Sequence, residues 1–148
     1  MAAHRIMLVE DNPADVALLL EALEGRDIAV ECHSQPKDAL AVMLSGSATA
    51  PIDLVVLDYT MPGMTGLEWL TRVRSYPRFA ELPIVVWTGS ANPREAERLR
   101  MLDAAIQPKP GTYQEVLEFC SYLGLKLEKA RRRAAERSHD GVDSALGF

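Results

Sequence analysis

Glu10 and Asp11 are adjacent acids, Asp58 closes an apolar run, and Thr88 and Lys109 stand at or just beyond two later apolar runs. Brought to one place, the three carboxylates would repel and could not all ionise without compensation. A hard divalent cation resolves that conflict, and Mg²⁺ takes about six oxygen ligands at about 2.0–2.1 Å, usually one or two carboxylates plus waters. Lys109 adds a further positive charge. Such a set lacks only a ligand whose oxygens the metal, the hydroxyl and the ammonium can share, and a phosphoryl group meets that need. Taken singly, each residue has a plainer explanation. Glu10-Asp11 suits a solvated turn before a helix, where acids favour the dipole. Asp58 suits a turn, Thr88 an ordinary strand end, and Lys109 a surface position beside two prolines. Only convergence turns these residues into a site.

The elements that would bring them together are legible as five short apolar runs, at 5–9, 28–30, 52–57, 83–87 and 104–106. The first, third and fourth are nearly continuous in apolar and β-branched residues, the pattern of strands buried on both faces of a parallel sheet. Helical spacings with start signals lie between them. Asn12-Pro13 sets a capping side chain before a proline at the first helical position, with Val16, Leu19, Leu20 and Leu23 behind it and Gly25 as a stop. Pro36 opens a second helix, carrying Leu40, Met43 and Leu44 and ending at Ser45-Gly46. Thr65-Gly66-Leu67-Glu68 is a capping-box pattern ahead of Leu70 and Val73. Asn92-Pro93 precedes Ala96, Leu99 and Leu102, and Tyr113 begins a fifth helix. Strand and helix alternate five times, which predicts an α/β, (βα)₅ unit with a central parallel sheet. In the flavodoxin-like order 2-1-3-4-5, strands 1 and 3 flank the switch point, and ligands bind there outside the carboxyl ends. Glu10-Asp11, Asp58, Thr88 and Lys109 then arrive from four strand ends at one edge.

The chain has 148 residues, 48% hydrophobic and 25% charged, proportions of one soluble globular domain with at most a short appendage. A net charge of −5 argues against nucleic acid as the main partner. No apolar run approaches the roughly 18 residues of a membrane span, and the N-terminus leads straight into a strand, so a signal peptide is not expected and a cytoplasmic location is. Cys32 and Cys120 match no metal spacing and are expected as buried, reduced thiols. Residues 126–148 hold six basic and four acidic residues, leaving ten basic and seventeen acidic before them. That shift divides the chain into a domain of residues 1–125 and a basic helical extension with a flexible tail at 126–148.

The motifs Leu8-Val9-Glu10-Asp11-Asn12, Val55-Val56-Leu57-Asp58-Tyr59-Thr60-Met61-Pro62-Gly63-Met64-Thr65-Gly66, Val85-Val86-Trp87-Thr88-Gly89 and Lys109-Pro110 stand in a definite order and spacing. In these motifs the chain resembles the receiver domain of two-component response regulators, over roughly residues 4–125. The resemblance implies that Asp58 accepts a phosphoryl group from a phosphohistidine on a sensor histidine kinase. It implies that Glu10, Asp11, Asp58 and the backbone carbonyl of Thr60 hold Mg²⁺ or Mn²⁺, Glu10 largely through a bound water. Lys109 would pair with the phosphoryl oxygens and Thr88 would move to hydrogen-bond one of them, while Lys109-Pro110 would be a cis peptide. The chemistry agrees with those roles, because phosphoryl transfer asks for positioning and charge stabilisation, and a carboxylate can serve as nucleophile. Thr60 and Ser90 flank the approach of water and are expected to tune hydrolysis.

Two departures from the family pattern stand out. Glu10 is a common variant of the usual Asp. Ile106 lies three residues before the lysine, where many receivers carry a switching Tyr or Phe, so any readout through the α4-β5-α5 surface must use another packing change. From Tyr113 an apolar stripe of Val116, Cys120, Leu123, Leu127, Ala130 and Ala134 keeps a 3.5-residue repeat. A continuous helix over 113–135 would be about 34 Å long, although Gly124 weakens it. Val116, Cys120 and Leu123 are expected as core, Leu127 to Ala134 as a surface for a second copy of the chain, and 138–148 as mobile. The chain is expected to stand alone, with no DNA-binding module. The Val9-Glu10-Asp11-Asn12-Pro13-Ala14-Asp15 start, the stretch at 74–83 and the long fifth helix look most like regulators that partner bacterial phytochromes, which would make a bacteriophytochrome the kinase.

Two rivals use the same residues differently. A phosphatase of the haloacid dehalogenase type also has an Asp nucleophile, but needs a second Asp two residues on as general acid, where this chain has Thr60. A phosphorylation-independent scaffold of the same fold would ordinarily have lost an acid, the acceptor or the lysine, and all are present. Slow autodephosphorylation rather than turnover catalysis is expected.

Overall fold

A computed structural model describes residues 3–46, 51–89 and 91–145, with side chains as far as residue 138. Five strands, β1 (His4–Val9), β2 (Ile28–His33), β3 (Leu54–Asp58), β4 (Ile84–Thr88) and β5 (Ala105–Pro108), pair in parallel in the order β2-β1-β3-β4-β5. β3 and β4 are buried along their whole length, as unbroken apolar runs require when helices cover both faces. The register sets Leu57 beside Val9 and Val86, and Asp58 beside Trp87. The carboxyl ends of β1, β3 and β4 therefore finish level with one another.

Between the strands run α1 (Pro13–Leu23), α2 (Pro36–Ser45), α3 (Gly66–Arg74), α4 (Pro93–Met101) and α5 (Tyr113–Ala145). α1 and α5 cover one face, where Leu19, Leu23, Phe119 and Leu123 pack on Ile6, Leu8, Leu54 and Val56. α2, α3 and α4 cover the other, where Leu40, Trp69, Leu70 and Leu99 pack on Met7, Val55, Leu57 and Val86. The start signals work as their chemistry predicts. Asn12 Oδ1 accepts from the N–H groups of Ala14 and Asp15, Thr65 Oγ1 from Glu68 N–H, Asn92 Oδ1 from Glu95 N–H, and Thr112 Oγ1 from Glu115 N–H. Each such cap is worth about 1 kcal/mol. α2 starts at Pro36 without a side-chain cap and ends at Gly46, whose φ of 69° is the left-handed stop that glycine adopts without strain.

Two expectations are corrected by this architecture. Leu127 is not part of a partner surface: it is only 2% exposed and belongs to the same core as Leu123 and Ile6. α5 runs antiparallel along the sheet for long enough that its fourth turn still lies over apolar cover. α5 runs on past residue 135. Its backbone is helical through Ala145, about 50 Å in all, because neither Gly124 nor Gly141 breaks a helix already nucleated. An Arg137–Glu81 ion pair ties the extension back to the body. Residues 146–148 lie outside the described residues. Finally, Cys120 is buried as expected but Cys32 is exposed, since β2 is an edge strand covered by one neighbour only.

Candidate functional site

β1 delivers the first acids. Glu10 N–H donates to the His33 carbonyl at 3.0 Å, carrying the β1–β2 pairing one residue beyond the strand. Its side chain turns inward, 2% exposed, and Oε1 accepts from Asn12 N–H at 3.1 Å. Because Asn12 also caps α1, the inner carboxylate and the start of the helix are fixed by one residue. Asp11, between them, is exposed.

β3 delivers Asp58, 4% exposed, with Oδ1 accepting from Thr60 N–H at 3.1 Å. The following loop then folds back on itself: Gly66 N–H donates to Tyr59 O at 3.2 Å. A Cβ on Gly66 would stand 3.1 Å from Tyr59 Cα, so only glycine lets α3 start this close to the acceptor strand. Met61 and Met64 pin the loop into the core.

β4 ends at Thr88, whose side chain is buried and whose carbonyl accepts from Lys109 N–H at 3.0 Å. That bond extends the β4–β5 pairing and holds Lys109 at the edge. From there its ammonium crosses to the acids, 3.0 Å from Glu10 Oε2, 3.1 Å from Asp15 Oδ2 and 3.5 Å from Asp58 Oδ2. It also stands 5.7 Å from the centre of the Trp87 ring.

Carboxylate oxygens of Glu10, Asp11 and Asp58 all lie within 4.8 Å of one another. Oxygens around one Mg²⁺ are at most about 4.2 Å apart, so the set needs contraction, not rebuilding, to hold one ion. The electrostatics agree. Burial pushes the Glu10 carboxyl up from 4.5 to about 7, with Asp58 adding to the rise while Lys109 and the Asn12 N–H oppose it. Burial alone would lower Lys109, but the carboxylates of Glu10 and Asp15 and the charge of Asp58 outweigh it and hold the ammonium well above the usual lysine value. A buried acid that keeps its proton near neutrality is one that a cation can ionise.

Glu10, Asp11, Asp58, Thr88 and Lys109 thus lie on one edge, as the strand ends predict, and the Thr60 N–H donates to Asp58 there. Ser90 is outside the described residues. The Lys109-Pro110 peptide is trans, a correction to the cis bond that the resemblance implied. The two isomers of an X–Pro bond differ by only about 0.5–1 kcal/mol, so the dipeptide alone does not decide between them. Asp15 was missed. In the sequence it reads as an ordinary first-turn acid of α1, and only the reach of the Lys109 side chain brings it to the site. A cleft of about 1070 Å³ between Phe79, Leu82, Leu127 and Arg137 opens at the opposite, amino-terminal ends of the strands, away from these residues.

A doubly wound parallel sheet in the order β2-β1-β3-β4-β5, with a carboxylate cluster and a lysine at its switch point, defines a flavodoxin-like α/β protein. The chain belongs to the response regulator receiver domain family, whose model matches residues 6–116. It is 32% identical over 140 residues to the cyclic di-GMP phosphodiesterase response regulator RpfG of Xanthomonas campestris, covering 90% of this chain and 35% of that protein. It is 32% identical over 142 residues to the sensor histidine kinase TmoS of Ectopseudomonas mendocina, covering 92% of this chain and 14% of that one. The chain therefore spans well under two thirds of these curated relatives. Among solved structures, the phosphorylated cyanobacterial phytochrome response regulator RcpA superposes with a TM-score of 0.74 at 26% identity, over 82% of this chain and 91% of that one. A Mn²⁺-bound response regulator, Rcp1, shares the fold with a TM-score of 0.71 at 24% identity, over 79% of this chain and 88% of that one. Among the described residues no helix is long and apolar enough to cross a membrane.

Proposed function

We propose that the chain is a phosphoryl-accepting switch. An Asp58 carboxylate oxygen attacks the phosphorus of a phosphohistidine on a sensor histidine kinase. The P–N bond breaks, its electron pair stays on the imidazole nitrogen, and an aspartyl phosphate is left on β3. The observation that carries this proposal is the convergence of the Glu10, Asp11 and Asp58 oxygens within 4.8 Å, with the Lys109 ammonium 3.5 Å from Asp58. Those three acids and the Thr60 backbone carbonyl would hold Mg²⁺ or Mn²⁺. The ion supplies charge neutralisation for the transferring group. Lys109 pairs with the phosphoryl oxygens, and Thr88 donates its hydroxyl to one of them. Water later attacks the same phosphorus and releases inorganic phosphate, returning Asp58, so the protein is a timed signal and not a turnover enzyme.

The signal is read through the α4-β5-α5 surface. Ile106 packs half-buried against the face that α2, α3 and α4 cover, so Thr88 movement is transmitted by aliphatic repacking there. Residues 1–125 form the switch. The α5 extension beyond them, continuing from Leu125, which is 73% exposed, offers a surface for a second copy. The likeness to RcpA supports a bacteriophytochrome as the kinase, since that relative is described as a phytochrome response regulator. Acetyl phosphate with Mg²⁺, followed by intact mass, tests the chemistry. Gain of one phosphoryl mass that is absent in Asp58→Asn is expected; no gain in the parent chain leaves a scaffold.

A further inference from the structure

Lys109 has three acidic partners, and Asp58 is the most distant. An ammonium has three donors. Two lie at full hydrogen-bond distance from Glu10 and Asp15, at 3.0 and 3.1 Å, while Asp58 at 3.5 Å is beyond it. Asp15 is well placed to keep its share. It is the third residue of α1, its N–H is capped by Asn12 at 3.3 Å, and the amino-terminal end of a helix favours a carboxylate. Glu10 and Asp15 nevertheless differ. Glu10 belongs to the set of oxygens that could share one cation, and Asp15 does not. A cation held by Glu10, Asp11 and Asp58 neutralises the attraction of those acids for Lys109 and leaves that of Asp15 intact.

We propose that Asp15 is a positioning residue that competes with the phosphoryl group for Lys109, and so sets how fast Asp58 is phosphorylated and how long it stays so. This rests on Asp58 being the acceptor. An incoming phosphoryl group must draw the ammonium from Asp15 before Lys109 can stabilise it. Asp15 thereby makes the start of α1 part of the timing of the switch. A purely structural ion pair, tying α1 to the end of β5, would act in the opposite direction: its loss would loosen the site and slow uptake.

The test uses the full chain at saturating Mg²⁺, with acetyl phosphate as donor and intact mass as readout for both uptake rate and half-life. Both side chains are partly exposed, at 26% each, so the competition carries the energy of a screened pair. Asp15→Asn should raise the uptake rate, or lengthen the half-life, by about 1.5- to fivefold. Asp15→Glu should return both toward the parent values. In a Lys109→Ala background Asp15→Asn should add nothing, because the competitor then has nothing to hold. An Asp15→Asn protein that is unchanged or slower overturns the proposal, as does a gain that persists without Lys109. Failure of the parent chain to gain phosphoryl at all points instead to the acceptor role of Asp58, and separates the two failures.

Discussion

Glu10→Gln should stabilise the cation-free fold at alkaline pH, although it removes a partner of Lys109. The folded chain holds the Glu10 carboxyl at about 7 against 4.5 for the free side chain, chiefly because burial penalises its charge. Between those values the folded state keeps a proton that the unfolded chain has released. Stability therefore falls as pH rises from about 4.5 to about 7 and levels off above. At about 1.4 kcal/mol per tenfold change in proton affinity, the rise is worth about 3 kcal/mol. Glutamine keeps the shape and drops the charge, so it should recover much of that at about pH 8 and almost none at about pH 4. Urea unfolding in chelator reads both. Mg²⁺ at a hundredfold excess over its dissociation constant should add about 2.7 kcal/mol to the parent at alkaline pH and much less to the variant, and its affinity should climb as pH passes through about 7. A variant no more stable than the parent at about pH 8 refutes the reasoning, as does a parent whose stability is level across that range.

Leu127→Ala should cost about 2–5 kcal/mol in urea unfolding, the range for emptying a buried leucine site, whereas Leu125→Ala on the exposed side should stay within about 0.5 kcal/mol. Equal effects would put Leu127 outside the core. Trp87 should report the state of the site, because Lys109 stands over its ring and Phe119 of α5 stacks on it with centroids 5.2 Å apart. Trp69 lies on the other face, bonded to the Pro36 carbonyl, so a Trp69→Phe protein isolates the signal. Its emission should shift when beryllofluoride and Mg²⁺ are added, and a flat response would mean that Lys109 does not move.

Much of this was legible in the sequence, for identifiable reasons. β1, β3 and β4 announce themselves because strands buried on both faces have no polar alternation to lose. Asn12, Thr65 and Asn92 mark helix starts because their short side chains satisfy free backbone N–H groups. Once strand order was assumed, the meeting of Glu10, Asp11, Asp58, Thr88 and Lys109 followed from position alone. What was not legible depends on distance in space. Leu127 continues the same 3.5-residue stripe as Leu123 and as the exposed Ala134, and only the reach of α5 along the sheet decides where cover ends. Asp15 is an ordinary first-turn acid until the Lys109 side chain crosses to it. Cys32 follows an apolar strand pattern, and its exposure comes from β2 lying at the sheet edge.

The most direct test of the central claim is to find where the phosphoryl group sits. Protein treated with acetyl phosphate and Mg²⁺ is reduced with borohydride, which converts an aspartyl phosphate to homoserine, and is then digested and sequenced by mass. Homoserine at position 58, lost when Mg²⁺ is withheld, is the expected result. Labelling at any other residue, or an unmodified Asp58 in protein that has gained phosphoryl mass, contradicts it.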